Sequence, residues 1–172
     1  MASLTAGTFL MLGTESSGTI TYSKLCDISE YPDLGSNIDT QDVTTLSDAC
    51  HKYIDALPDP GGSLEFPGFL NQTDYDAVMA ISGKEKFLCI AFGGAPTDAD
   101  ASILEPDTIT GSTSSDELTI TPKGTAAVTF LAVHFKGKVR VRLSGAGSDA
   151  ARPVTYTVTP TTGIIDDAGN ML

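Results

Sequence analysis

The sequence predicts a mainly β protein: an antiparallel β-sandwich or barrel with one short helix and a long extended loop. The 172 residues include 17 glycines and 9 prolines beside many Ser and Thr, a composition that favours strands and turns. The second half alternates between apolar and polar residues, and a single stretch carries a good helix signal. With 41% hydrophobic residues, the chain can bury the core of one domain spanning residues 1–172.

The first third of the chain predicts two strands followed by an arm. Residues 8–12 form a short apolar run, and residues 19–28 alternate loosely in polarity. Residues 31–63 are then polar and acidic, with turn residues at both ends. A compact domain rarely keeps so long a connection without a use, so we interpret it as an extended arm. A short helix within it is the alternative, because four residues lie at helical spacing: Leu46, Ala49, Cys50 and Tyr53.

One helix is predicted over residues 71–82. Thr73 can cap it and Asp76 follows at capping-box spacing, while Gly83 is the expected stop. A helix this short is marginal alone and must pack against the sheet. The expected packing face consists of Tyr75, Val78, Met79 and Ser82.

The second half predicts a series of strands, of which residues 129–143 are the most regular. Apolar residues occupy the odd positions, and period two places the basic residues of the even positions on one face. We call these four residues the cationic strand: Lys136, Lys138, Arg140 and Arg142. They are either a solvated face that protects a sheet edge from aggregation, or a surface complementary to an acidic neighbouring copy. The tail, residues 163–172, is turn-rich and expected to be loose.

Charge and cysteine usage exclude several classes of protein. The formal net charge of −12 argues against a protein that grips nucleic acid through its phosphates. The three cysteines include no CxxC pair, so no ordinary zinc site is predicted and a reducing compartment is favoured. The start of the chain lacks a basic segment and no long apolar run follows. We therefore expect neither a signal peptide nor a membrane partner.

No catalytic, metal or cofactor site is predicted. The acidic loop at residues 98–109 begins like a calcium loop, but isoleucines stand where the glycine and the bidentate glutamate are required. The glycines at 145–147 lack the Lys-Ser/Thr pair of a phosphate loop. Cys50 and His51 are neighbours without an evident orienting group. We therefore expect a protein that is not an enzyme and needs no cofactor.

The order of features along the chain is more specific than any single motif. It consists of the YPDLG turn at 31–35, DVTTLSD at 42–48, GSLEF at 62–66, the helix opening at Asp74-Tyr75, FKG at 135–137, the glycine-rich turn at 145–147 and the strand at 154–160. This ordered set, which spans about residues 6–165, resembles the major tail tube proteins of long-tailed bacteriophages with flexible, non-contractile tails.

The resemblance implies a structural virion protein. Six copies would form a ring, and the rings would stack head to tail into the tail tube, the conduit for DNA ejection. A contact between two different surfaces that does not close builds such a filament. The implied partners are the tape measure protein and phage DNA in the lumen, the tail terminator and the distal tail proteins. The implied location is the virion tail, with assembly in the bacterial host cytoplasm.

Two assembly surfaces are predicted within this scheme. The arm would make the inter-ring contact through Asp33, Leu34, Asp42, Thr44, Leu46, Asp48 and Tyr53. The cationic strand would form a subunit interface through Lys136, Lys138, Arg140 and Arg142. The alternative function is a β-sandwich decoration or host- or carbohydrate-binding module of a phage particle. The absence of tryptophan counts against a carbohydrate-binding surface.

Overall fold

The structure is a computed structural model that describes residues 8–35, 40–47, 49–55, 62–70, 75–93, 106–122, 130–145 and 152–172. These residues form eleven strands and one helix. The elements are β1 (Thr8–Ser16), β2 (Thr19–Ile28), β3 (Thr40–Asp42), β4 (Tyr53–Asp55), β5 (Leu64–Leu70), α1 (Tyr75–Ile81), β6 (Glu85–Gly93), β7 (Pro106–Ser112), β8 (Ser115–Pro122), β9 (Phe130–Leu143), β10 (Arg152–Pro160) and β11 (Ile165–Asp166).

The main sheet is antiparallel throughout, in the order β1-β6-β9-β10-β5-β2-β7-β8, with β11 added to β9. The order folds back on itself, because β1 also pairs along β2. The link between β2 and β5 is only two residue pairs long, and the other end of the same edge of β2 pairs with β7. The sheet is therefore a sandwich and not a regular closed barrel. The predicted mainly β fold with one short helix is confirmed.

Both faces of the central strands are buried, which explains the continuous apolar run in β6. Leu88 and Ile90 lie in the main core, which the folded sheet encloses together with α1. Cys89 and Ala91 point the other way, into a second core covered by the β7–β8 hairpin. Successive side chains of a strand alternate between its two faces. A strand that is buried on both faces therefore favours apolar residues at every position.

The helix is present, but its packing face differs from the prediction. Val78 and Ile81 are buried in the main core, whereas Tyr75 and Met79 are exposed. The expected face was therefore wrong for Tyr75 and Met79. Only a narrow stripe of α1 meets the sheet, because the turn after it is tied to β9. Gly83 N–H donates to the Val139 carbonyl at 2.7 Å, and Gly83 is the predicted helix stop, with a φ of +81°.

The predicted loose tail was wrong, because the tail is ordered against the sheet. Ile164 is buried in the main core, and β11 pairs with β9. The Asp166 carboxylate accepts the N–H groups of Ala168 at 3.0 Å and Asn170 at 2.7 Å. Hydrogen bonds from the Asn170 side chain and backbone hold the pKa of Asp166 below its usual value. The turn residues that suggested mobility instead close a tight loop over the β7–β8 hairpin, where the Asp167 carbonyl accepts the Leu118 N–H.

Parts of several predicted features lie outside the described residues. They are the helix cap at Thr73, the acidic loop before residue 106, the turn beyond Gly145 and the arm at positions 36–39, 48 and 56–61.

A close approach of β9 and β10 at Gly137 gives a testable stability prediction. A Cβ at this position would lie 2.6 Å from Val158 Cγ1 and 2.9 Å from the Thr159 carbonyl oxygen. We expect Gly137→Ala to lower the free energy of unfolding by about 2 kcal/mol through overpacking, measured by chemical denaturation. Gly145→Ala is the matched control, because no atom of the described residues beyond its chain neighbours lies within 4 Å of its added Cβ. Equal midpoints for the two variants would contradict the prediction.

Candidate functional site

The base of the arm is fixed to the body of the protein. Ser29 N–H and Oγ both donate to the Pro67 carbonyl, at 2.9 and 3.1 Å. The Tyr31 ring meets Phe92 edge to face, with 5.2 Å between ring centroids. Leu34 is half-buried against the main core, whereas Asp33 beside it is exposed. Leu34 therefore lies at the base of the arm, and its role in an inter-ring contact stays a prediction.

Beyond its base, the arm is a β-hairpin made of β3 and β4. The two strands form a sheet of their own, separate from the main sheet, and all six of their residues are exposed. Leu46, near the tip, is fully exposed, and Tyr53 is 60% exposed. A two-stranded hairpin without further packing is at best marginally stable in water. The arm thus presents apolar side chains that the body of the protein does not cover.

The hairpin loop is organised around the carboxylate of Asp42. Thr44 donates to Asp42 Oδ1 from its N–H at 2.9 Å and also from its hydroxyl. Lys52 N–H donates to Thr44 Oγ1 at 3.0 Å, and Val43 N–H donates to the Lys52 carbonyl at 2.9 Å. Asp42 and Thr44, both predicted as contact residues, therefore shape the hairpin. Predicted contact residue Asp48 lies outside the described residues.

Next to Asp42, His51 completes a group that superficially resembles a hydrolase triad. Its Nδ1 lies 3.3 Å from Thr44 Oγ1 and 3.3 Å from Asp42 Oδ2. In a working triad the nucleophile and the carboxylate contact different ring nitrogens, so that the imidazole can relay a proton. Here both oxygens share one nitrogen on an exposed loop. The geometry is that of a clamp closing the hairpin, and it cannot perform the relay.

The clamp predicts a pH dependence of the hairpin loop. The hydrogen bonds from Thr44 hold the pKa of Asp42 below its usual value. The carboxylate therefore stabilises the loop fully above the pKa of an unfolded aspartate, about 3.9, and this stabilisation is lost as pH falls through the lower folded value. We expect the Thr44 amide chemical shift to titrate below about pH 4. Asp42→Asn is the control, since it keeps an acceptor oxygen but should give a flat profile. A flat profile in the unmodified protein would contradict the clamp.

The second predicted surface, the cationic strand, lies in β9 with its basic residues on one face. Lys138 and Arg140 are exposed on that face, and Val139 between them is buried in the main core. Lys136 is different, because its Nζ forms an ion pair with Glu85 Oε2 at 3.0 Å. Hydrogen bonds from Thr161 and then Lys136 hold the pKa of Glu85 below its usual value. Lys136 is thus satisfied within its own chain.

The remaining three basic residues belong to a wider exposed surface. Lys138, Arg140 and Arg142 lie opposite Thr159, Thr157 and Thr155 of β10 in the antiparallel register. Beyond the threonines, β5 contributes Glu65, Pro67 and Phe69 to the same surface. Within the part of the chain that the structure describes, none of the three basic residues has an ion-pair partner. We call this surface of β9, β10 and β5 the cationic face.

The sequence contains a signal for the wider face in the alternation of threonines along β10. Thr155, Thr157 and Thr159 alternate in β10 as the basic residues do in β9, and period two predicts that they share a face. Which strand pairs with which could not be derived from that alternation. The position of Phe69, opposite Pro153 and diagonal to Thr155, depends on the register between β5 and β10.

The other parts of the described chain show no competing site. No group of three or more His, Cys, Asp or Glu residues among the described positions could hold a metal ion. Cys89 is fully buried, and burial raises the pKa of its thiol. None of the helical segments seen in the described ranges is long and apolar enough to cross a membrane. No protein-family model matches the chain, and no curated protein matches it either.

Proposed function

We propose that this protein is a structural subunit that polymerises as stacked rings, six copies to a ring, into the tail tube of a long-tailed bacteriophage. The observation that carries the proposal is the exposed hairpin arm projecting from a well-packed sandwich. The arm exposes Leu46 near its tip, Tyr53 on one face and Ile54 on the other, on an element with little stability of its own. Exposed apolar side chains on so small an element are typical of a surface that is covered by a partner.

Two different surfaces on one subunit support a polymer rather than a closed dimer. The arm and the cationic face differ in shape, charge and position in the chain. A contact between unlike surfaces is heterologous, so it repeats from copy to copy and generates rings or filaments. The order of sequence features adds the resemblance to tail tube proteins, and with it the proposed partners: tape measure protein, tail terminator and distal tail proteins.

The charge of the protein suits the proposed conduit. The net charge of −12 per copy would surround a passing DNA molecule with like charge. Such a field opposes adhesion of DNA to the tube wall. The proposed location is therefore the virion tail, after assembly in the host cytoplasm, and the protein has no catalytic role in this scheme.

Electron microscopy of the purified protein tests the proposal directly. We expect rings or tubes of uniform diameter to form as the protein concentration is raised. Monodisperse monomers at every concentration would contradict the proposal. Monomers that instead bind bacterial surface polysaccharide would support a host-binding module.

A further inference from the structure

We infer that the hairpin arm of one copy docks on the cationic face of a second copy. The inference rests on the proposed function and adds to it, because it pairs the two surfaces, the hairpin arm and the cationic face, with each other. The occupant of the cationic face would thus be a second copy of this chain, bound through β3, β4 and the loop between them.

The cationic face is available for such a contact. Lys138, Arg140 and Arg142 are exposed, and no acidic group of the described chain pairs with them. Like charges along one strand are unfavourable unless a partner neutralises them. Lys136, the fourth basic residue, is already neutralised by Glu85 and is not needed. The unpaired charges therefore mark where an acidic partner would bind.

The arm has the opposite charge. Residues 31–63 contain six aspartates and one lysine. In the hairpin register Asp42 lies opposite Tyr53, and Thr40 lies opposite Asp55. Cross-strand partners share a face, so Asp42, Tyr53 and Asp55 point in one direction. The Asp42 side chain remains 47% exposed although it holds the loop. An ionised carboxylate has about four lone-pair sites, so Asp42 can accept an arginine as well as Thr44 and His51.

The spacing of the charges matches. Asp42 and Asp55 are diagonal neighbours across the hairpin, about 7–8 Å apart. Arg140 and Arg142 are two residues apart along β9, about 6.8 Å at the usual rise of an antiparallel strand. One hairpin can therefore place a carboxylate over each arginine. A planar guanidinium can bind a carboxylate through two parallel hydrogen bonds, which would fix the register of the contact.

Apolar contacts would add to the charge pairs. Phe69, 52% exposed, and Pro67 lie at the β5 side of the cationic face. Leu46 is exposed near the tip of the arm, and Tyr53 is exposed on the same face as Asp42 and Asp55. Exposed ion pairs are individually weak, so an apolar anchor within reach of them makes a stable contact more favourable. Each ring would repeat the contact in every copy.

A charge-swap experiment tests the pairing in the full-length protein. Asp55→Lys alone and Arg140→Glu alone should each slow tube formation by about tenfold or more, as expected for a reversed charge at a contact. The double variant should recover most of the rate of the unmodified protein. The combination of Asp55→Lys with Arg142→Glu tests the alternative in which Asp55 pairs with Arg142. Lys24→Glu, an exposed change on β2 that alters net charge equally, is the control and should polymerise normally.

The exposed thiol of the arm allows an independent test by cross-linking. Cys50 is exposed, whereas Cys26 and Cys89 are buried. Thr155→Cys and Thr159→Cys place a second thiol at either end of the cationic face. Under mild oxidation, tubes of at least one of these variants should give covalent dimers on a non-reducing gel. Cys50→Ser should abolish the dimers, and Thr119→Cys, on the exposed side of β8, should not form them.

The outcomes separate this inference from the proposed function. If the unmodified protein forms no tubes, the proposed function fails and the inference fails with it. If it forms tubes, but neither swap restores assembly and neither variant cross-links, only the docking inference is overturned. If Arg140→Glu forms tubes normally and instead removes duplex DNA binding by the soluble protein, the cationic face binds nucleic acid and the inference is likewise overturned.

Discussion

Replacing Val78 with aspartate is expected to destabilise the protein by about 4 kcal/mol, because the change removes apolar contacts and buries a carboxylate. Val78 is fully buried in the main core on the inner face of α1. A loss of this size is a large fraction of the stability of a typical domain. Chemical denaturation followed by circular dichroism would measure it as a large fall in the midpoint.

Met79→Asp is the matched control for this prediction. It introduces the same charge into the same helix, one residue away, at a side chain that is 38% exposed. We expect a loss below about 1 kcal/mol, as for most substitutions away from the core. Similar losses for the two variants would show that Met79 also packs against the sheet, as the sequence predicted, and would contradict a buried stripe made of Val78 and Ile81.

Removing the hairpin arm is expected to abolish polymerisation while leaving a folded monomer. Thr40 and Asp55 face each other in the β3–β4 register, so a short Gly-Ser linker can replace residues 40–55 without straining the chain. The residues removed bury little against the body, since all six strand positions are exposed. Electron microscopy would show no tubes, and the denaturation midpoint should match that of the unmodified protein.

Leu46→Asp is the single-residue counterpart of that replacement. It keeps the Asp42 clamp and the hairpin but places a charge at the fully exposed apolar tip. We expect it to weaken tube formation without changing the stability of the monomer. Tubes that form at the normal rate after the hairpin is replaced would exclude the arm from assembly and overturn the docking of the arm on the cationic face.

The alternation in β9 could be predicted because it follows from local geometry alone. Side chains of a strand point to opposite faces in turn, so the exposed Lys138 and Arg140 and the buried Val139 followed directly from the sequence. The helix face could not be predicted in the same way. Met79 and Ile81 are both apolar, and only the attachment of the following turn to β9 selected Ile81 for the core.

The sequence by itself determined the β class, the single helix with its stop at Gly83, and the alternating charge of β9, because propensity and periodicity act over a few residues. The tertiary structure decided the rest. It paired Lys136 with Glu85 and left Arg140 and Arg142 without an ion-pair partner among the described residues. It also fixed the tail against β9, buried Cys89 in a second core and brought Phe69 diagonal to Thr155 of β10. These features depend on which distant strands meet and in which register, and residue patterns within a strand do not specify that.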